Sequence, residues 1–202
     1  MKEKLKLAKR GLPLRAIYEF IYAKRSYIPI PFLLLLLWFA HPQLRGLVIG
    51  ILVTILGELL RMWAVAYIPA NREGVIKAES LATGGPYAYC RNPLYLGNFF
   101  IGLGYCIMGG VFLLLILYPV LFIWEYGGIA RLEEEYLKEK FKKDYLSYLT
   151  SVPSWLPKLS PYPLRSPRSK RLGKIIEWER STLAGIILIT ALMVGKMLFF
   201  KI

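Results

Sequence analysis

Long apolar runs alternate with short, mostly basic intervals along the chain. Residues 28–40, 44–68, 94–126 and 183–200 are dominated by Leu, Ile, Val, Phe and Trp. A bilayer core about 30 Å thick takes roughly 20 apolar residues per helix, so the second and last runs each predict one spanning helix. The first run is short, and Pro29 and Pro31 suit the opening turn of a helix, which predicts a tilted span over 26–41. The run 94–126 is too long for one span, and Gly109-Gly110 lies near its middle. It predicts a tight hairpin of two spans, 94–108 and 111–126. After it, Leu132, Tyr136, Leu137, Phe141, Tyr145, Tyr148 and Leu149 recur at helical spacing, which predicts an amphipathic helix over 129–150 continuing from the fourth span. The fold expected is all-α: a polytopic membrane bundle of about five transmembrane helices.

Charge gives the bundle a direction. The chain of 202 residues is 56% hydrophobic yet carries a net charge of +14, a combination that makes sense only if the two are segregated. Segments 1–27, 69–93 and 127–181 hold 8, 3 and 12 Lys or Arg, against Arg45 and Lys201 on the other side. The positive-inside rule then predicts a multi-pass protein of the cell membrane, with amino terminus and active site cytoplasmic. Residues 1–27 form a basic amino-terminal segment in which Leu5, Leu12, Ile17, Phe20 and Ile21 can lie on lipid. No small-residue cleavage site follows it, so no removed signal peptide is expected.

Cys90 and Cys106 are the two cysteines and His41 is the one histidine, so neither a disulfide framework nor a metal site is expected. Five prolines between Val152 and Pro167 exclude a long helix there. Residues 154–174 carry six Lys or Arg and no acid. That favours anionic membrane lipids as partners, and no recognition fold for nucleic acid accompanies the charge.

Candidate chemistry concentrates in "GPYAYCRNPLYLGN", residues 85–98. Gly84, Gly85 and Pro86 make a turn, Pro93 suits a first helical turn, and Gly97 permits close approach to that helix. Helix-start amides plus Arg91 suit an anionic group such as a carboxylate. Tyr87, Tyr89 and Tyr95 supply walls for an adenine ring or a sulfonium cation; an interfacial aromatic belt with a topology-setting arginine is the plainer explanation. A second cluster, Arg131, Glu133, Glu134 and Glu135, follows the fourth span. It either returns to the level of Arg91 and Tyr95 or pairs along its own helix with Lys138 and Lys140. Glu58 and Arg61, three residues apart within the second span, either brace or orient a head group or form a buried ion pair.

The pattern G-x-Y-x-x-x-R-[HN]-P-x-Y-x-G, read over 85–97, precedes E-E-x-x-L-x-x-x-F-x-x-x-Y-x-x-Y-x-x-x-V-P over 133–153. Together with "GELLRMWAVAYI" before them, these motifs resemble the integral-membrane methyltransferases that include isoprenylcysteine carboxyl methyltransferase and, as relatives, the phospholipid N-methyltransferases. The resemblance implies S-adenosylmethionine as cofactor, contacted by Leu81, Tyr87, Arg91, Asn92, Pro93, Leu94, Tyr95 and Glu133. Glu134, Arg131 and Arg61 are the candidates for catalytic roles. It implies a single domain: a cofactor-binding core over 81–157, a basic linker over 158–181 and an extra carboxyl-terminal span over 182–202. The carboxyl methyltransferases usually have His where Asn92 stands, whereas the phospholipid methyltransferases share the Asn-Pro pair, and the arginine that contacts substrate in eukaryotic members aligns with Ile129. The implied acceptor is lipid-tailed and enters from the bilayer: an isoprenylated cysteine carboxylate, or alternatively a phospholipid amine. A sterol-reductase-like NADPH enzyme and a non-enzymatic lipid-binding scaffold are the rivals from other classes.

Overall fold

The computed structural model describes residues 13–25, 27–68, 80–168 and 170–199. Among these the fold is all-helical, without strands. The order is α1 (Pro13–Lys24), α2 (Pro29–Phe39), α3 (Leu44–Val65), a 3-10 turn (Gly85–Ala88), α4 (Pro93–Gly109), α5 (Phe112–Ser151) and α6 (Leu172–Phe199). Leu5 and Leu12 of the amino-terminal segment lie outside the described residues.

Local sequence sets most helix ends. Pro29 and Pro93 open α2 and α4 at positions where a missing amide hydrogen costs nothing. Gly110 closes α4 in the left-handed conformation, with φ of 67°, and turns the chain directly into α5. The hairpin predicted at Gly109-Gly110 is therefore formed. Helix α5 carries the fourth apolar run straight into the amphipathic segment, broken only at Lys142, whose φ of 44° and ψ of −114° interrupt the helical path. Val152 leaves it in extended geometry just before Pro153.

Three helices, α3, α5 and α6, are long and apolar enough to cross a membrane, and the chain is a multi-pass membrane protein. Two of the five expected spans fall short of the 18 residues that a crossing takes, although α4 slightly exceeds the 94–108 expected for it. Helix α4 has 17 residues and α2 has 11, and α2 reaches spanning length only if joined across a 66° bend to α1. The last helix differs the other way: it starts at Leu172, so ten residues assigned to a linker are helical. Large apolar side chains face outward as lipid requires, among them Trp38, Leu56, Leu59, Phe112, Ile123 and Ile187.

Helices α3 and α4 form the closest pair. Lipid tails are as apolar as leucine, so association within a bilayer relies on close packing at small residues. Gly50 and Gly57 of α3 lie against Gly104 and Gly97 of α4 so tightly that a Cβ on Gly57 would stand 2.7 Å from the Gly97 carbonyl oxygen. One on Gly104 would stand 2.6 Å from the Gly50 carbonyl oxygen. At one end of the bundle, Leu36, Leu47, Cys106, Met108, Ile189 and Met193 join α2, α3, α4 and α6. At the other, Ile21, Tyr95, Phe122, Tyr126 and Ile129 join α1, α4 and α5.

Arg61 ties three helices together inside the bundle. Its Nη2 donates to Glu179 Oε2 of α6 at 2.6 Å and to Thr182 Oγ1 at 3.2 Å, its Nη1 donates to Asn98 Oδ1 of α4, and its Nε lies 3.5 Å from Glu58 Oε2. The ion-pair reading of Glu58 and Arg61 is thus realised, with Glu179 as the closer partner. Glu179 is 2% exposed, so neither its charge nor that of Arg61 can be left alone.

Two outcomes follow for purified protein in detergent or nanodiscs. Gly57→Leu or Gly104→Leu should destabilise the bundle by about 1–3 kcal/mol through overpacking, whereas Gly195→Ala, with open space around it, should be neutral or mildly stabilising; thermal unfolding checks the order. Arg61→Leu should cost about 3–5 kcal/mol because it strands buried carboxylates, and Glu179→Gln, which keeps an acceptor, should cost less. Equal losses would mean that the charge is not what Arg61 contributes.

Candidate active site

The two clusters marked in the sequence come together at one end of the bundle. Tyr95, in the first turn of α4, donates its phenol hydrogen to Glu133 Oε1 at 2.7 Å. Arg91, just before α4, places Nη2 3.1 Å from Glu134 Oε1. Neighbouring carboxylates on α5 thus receive the two polar side chains that flank the Asn92-Pro93 start of α4. Further along α5, Lys140 Nζ donates to the Tyr136 hydroxyl at 3.4 Å.

The loop after α5 locks the arrangement. Pro153 and Ser154 accept from the backbone amides of Arg91 and Asn92 at 2.9 and 3.2 Å, and further along Lys158 and Tyr162 donate theirs to the carbonyls of Tyr89 and Ala88 at 3.0 and 2.8 Å. Asn92 Nδ2 donates to the Ser154 carbonyl at 3.1 Å and to its Oγ at 2.9 Å. The Tyr148 phenol donates to the Tyr87 carbonyl at 2.7 Å. Two irregular segments, 86–92 and 153–162, thereby satisfy each other's backbone beside a membrane, where exposed peptide groups are costly. Cys90 is buried under this pairing and its thiol donates to the carbonyls of Ser154 and Trp155, both at 3.2 Å. Burial pushes that thiol above its ordinary range, against the smaller opposing pulls of the Asn92 backbone and Arg91. It is a neutral packing group and a poor nucleophile. Burial likewise raises the phenols of Tyr145 and Tyr148, which keeps both as hydrogen-bond donors.

Aromatic rings wall the Tyr95 side. Tyr126 stacks on Phe122 at 4.3 Å and stands 5.0 Å from the Tyr95 ring; Trp155 meets Phe122 edge-on at 6.4 Å. Within the polar part, Arg91 Nη1 donates to the Leu149 carbonyl at 3.3 Å, while its buried Nε has no hydrogen-bond partner among the described residues.

Arg91, Asn92, Pro93, Tyr95, Glu133 and Glu134 therefore gather. Leu81 packs one layer away against the cluster of Ala88, Tyr145 and Tyr148. Tyr87 and Leu94 pack instead against Val65 and Ala66 at the end of α3 and Ile175 of α6. Arg131 is exposed and stands outside this network. Arg61 sits deeper, connected through Asn98, whose Nδ2 lies 3.5 Å from the Tyr126 hydroxyl, and so through Tyr126 to Tyr95. Ser154, Trp155, Tyr126, Asn98 and Glu179 belong to the same assembly but carry no role in the sequence reading. Asn98 closes the marked stretch 85–98, and Ser154-Trp155 lies just beyond the acidic motif; only their pairing with distant residues gives them meaning.

Known proteins are similar to this chain over the same region. A family described as phospholipid methyltransferase matches residues 46–144. The cobalt-zinc-cadmium resistance protein CzcN of Cupriavidus metallidurans is 29% identical over 142 residues, which cover 67% of this chain and 63% of that protein. Protein-S-isoprenylcysteine O-methyltransferase of Rattus norvegicus is 34% identical over 114 residues, 54% of this chain and 40% of that protein. The solved structure of a eukaryotic intramembrane Ras methyltransferase, an isoprenylcysteine carboxyl methyltransferase, aligns with a TM-score of 0.50 at 25% identity, covering 73% of this chain and 52% of that one. The chain thus spans less than two thirds of the length of each of these relatives. The matched region contains the α3–α4 seam, the Arg91–Tyr95 turn and the acidic run of α5, and over it the chain is similar to the integral-membrane methyltransferases that include isoprenylcysteine carboxyl methyltransferase and the phospholipid methyltransferases.

Proposed function

We propose that this protein transfers a methyl group from S-adenosylmethionine to a lipid-tailed acceptor, most closely an isoprenylated cysteine carboxylate, at the cytoplasmic face of the cell membrane. The observation that carries the reading is the meeting of Tyr95 with Glu133 and of Arg91 with Glu134, in a chain similar to these methyltransferases.

The residues present suit the cofactor. Arg91, held by the Leu149 carbonyl and by Glu134, is the cation that would meet its carboxylate, because a guanidinium is the natural fork for that group. Glu133, oriented by the Tyr95 phenol, matches hydroxyl or ammonium donors. The rings of Tyr95, Phe122, Tyr126 and Trp155 match a sulfonium cation and an adenine ring. When bound, S-adenosylmethionine supplies an electrophilic methyl group on sulfur. The protein's own part is positioning and exclusion of water: the paired segments 86–92 and 153–162 hold Arg91 and Asn92, and the aromatic wall keeps the reacting face dry. Asn92 spends its amide hydrogens on Ser154, which supports a positioning role for it. Arg61, acting through Asn98 and Tyr126, is a positioning residue for the same wall.

A carboxylate acceptor is already ionised at neutral pH and needs no base, whereas an amine with a pKa of roughly 10 must first lose a proton. The family description favours a phospholipid amine as the second reading, and pH separates the two. With a prenylcysteine analogue the rate should be nearly flat from about pH 6 to 9; with an amine acceptor it should climb over that interval. Labelled methyl transfer to each acceptor in membranes identifies the substrate, and product on neither would remove the enzymatic reading.

Cofactor binding gives a second check. Arg91→Ala or Glu133→Ala should weaken S-adenosylmethionine at least about tenfold, the loss of one charged hydrogen bond worth roughly 1.5–3 kcal/mol. Calorimetry on the purified protein measures it. Unchanged affinity, or binding of reduced nicotinamide in its place, would overturn the assignment.

A further inference from the structure

On the α3 side of the Gly85–Ala88 turn, two adjoining grooves of about 290 Å³ each open beside the end of α3. They share Trp63, Tyr67 and Arg168; one also includes Tyr89 and Arg165, the other Leu172 of α6. Arg165 and Arg168 are exposed, and among the described residues neither guanidinium forms an ion pair. Arg168 spends only its Nε, on the Lys170 carbonyl at 2.8 Å. Two uncompensated cations therefore face one aromatic trough.

The trough is rigidly framed. Ser166 Oγ accepts from the amides of Thr83 and Gly84 at 2.9 and 3.0 Å, and Thr83 Oγ1 accepts from the Ser166 amide at 2.9 Å while donating to the Leu164 carbonyl at 2.8 Å. This reciprocal clasp fixes the backbone on both sides of Arg165. Gly84 has no room for a side chain, since a Cβ would lie 2.0 Å from the Ser166 carbonyl oxygen, and Gly85, with φ of 55°, lets the Tyr67 ring lie against its backbone. Lys170 pins the other end: its amide donates to the Ala66 carbonyl at 3.1 Å, its ammonium caps the Val65 and Ile68 carbonyls, and that ammonium sits 4.0 Å from the centre of the Trp178 ring.

We propose that this trough binds one anionic phospholipid of the surrounding leaflet, with the phosphate between Arg165 and Arg168 and the glycerol against Trp63 and Tyr67. Charge complementarity and location select the occupant. The trough lies where the apolar α3 ends and α6 begins, and Trp63, Leu164 and Leu172 are 46%, 72% and 60% exposed beside it, a greasy rim along which acyl chains lie. Residues 158–174 carry no carboxylate that competes for the guanidiniums. The arginines lie beyond residues 46–144 of the family match, and neither Tyr95 nor Glu133 is among the residues lining the trough.

The test uses the full chain in nanodiscs of phosphatidylcholine with a small fraction of phosphatidylglycerol, reading bound lipid by native mass spectrometry. Wild type should retain one phosphatidylglycerol in preference to phosphatidylcholine, and R165Q/R168Q should weaken that preference about tenfold or more. The control R171Q/K174Q removes the same charge from neighbouring exposed positions and should retain the lipid. S-adenosylmethionine affinity should stay within about twofold in both variants, so failure here is distinguishable from failure of the methyltransferase reading. Equal loss in both double variants would reduce the effect to diffuse surface charge and overturn the site. Displacement of the lipid by millimolar inorganic phosphate would overturn the lipid in favour of a small-anion site.

Discussion

Close contact between α3 and α4, backbone to backbone at Gly50, Gly57, Gly97 and Gly104, is the constraint on which the rest of the molecule depends. Inside a bilayer there is little to gain from hiding leucine from lipid, so two helices hold a fixed register only where their surfaces mesh closely. Here the mesh sets the height of α4 relative to α3 and puts Asn98 beside Arg61. The same register fixes where α4 begins, and with it the level at which Arg91 and Tyr95 meet α5.

Two polar layers are built on that register. The deeper one, Arg61 with Glu58, Asn98, Glu179 and Thr182, makes α6 part of the bundle. A buried charge that loses its partner costs more than one that was never buried, so the layer specifies which helices adjoin. The shallower layer joins Tyr95 to Glu133 and Arg91 to Glu134. Asn98 and Tyr126 link the two, which joins the buried charge cluster and the Tyr95–Glu133 cluster in one continuous network.

The irregular segments are ordered by each other. A proline-rich stretch cannot bond to itself as a helix does, yet its peptide groups lie next to lipid. Residues 153–162 meet this demand by bonding to 86–92, and 164–166 by clasping Thr83 and Gly84. One short turn therefore serves two surfaces: Arg91 faces the acidic pair of α5, and Tyr89 lines the arginine-bearing trough on the other side.

Local rules made a large part of this legible in the chain. Apolar run length marked the helices, Gly109-Gly110 marked the hairpin, Pro93 marked the start of α4, and Gly97 announced a close approach that Gly57 and Arg61 now fill. The motifs around Arg91 and Glu133 suggested one site only through their family resemblance, since residue types alone left an aromatic belt and a helix-surface charge run open. Sequence could not say that α2 stops at 11 residues or that α6 starts as early as Leu172, since helix ends depend on what caps and covers them. It also separated Arg61 from Glu179 by 118 positions, and neither Ser154 nor Tyr126 carries a local signal of its role. Periodicity and turn chemistry act over a few residues and are written in the chain; the partner of a buried charge or of an exposed peptide group is chosen by packing, and only the tertiary structure decides it.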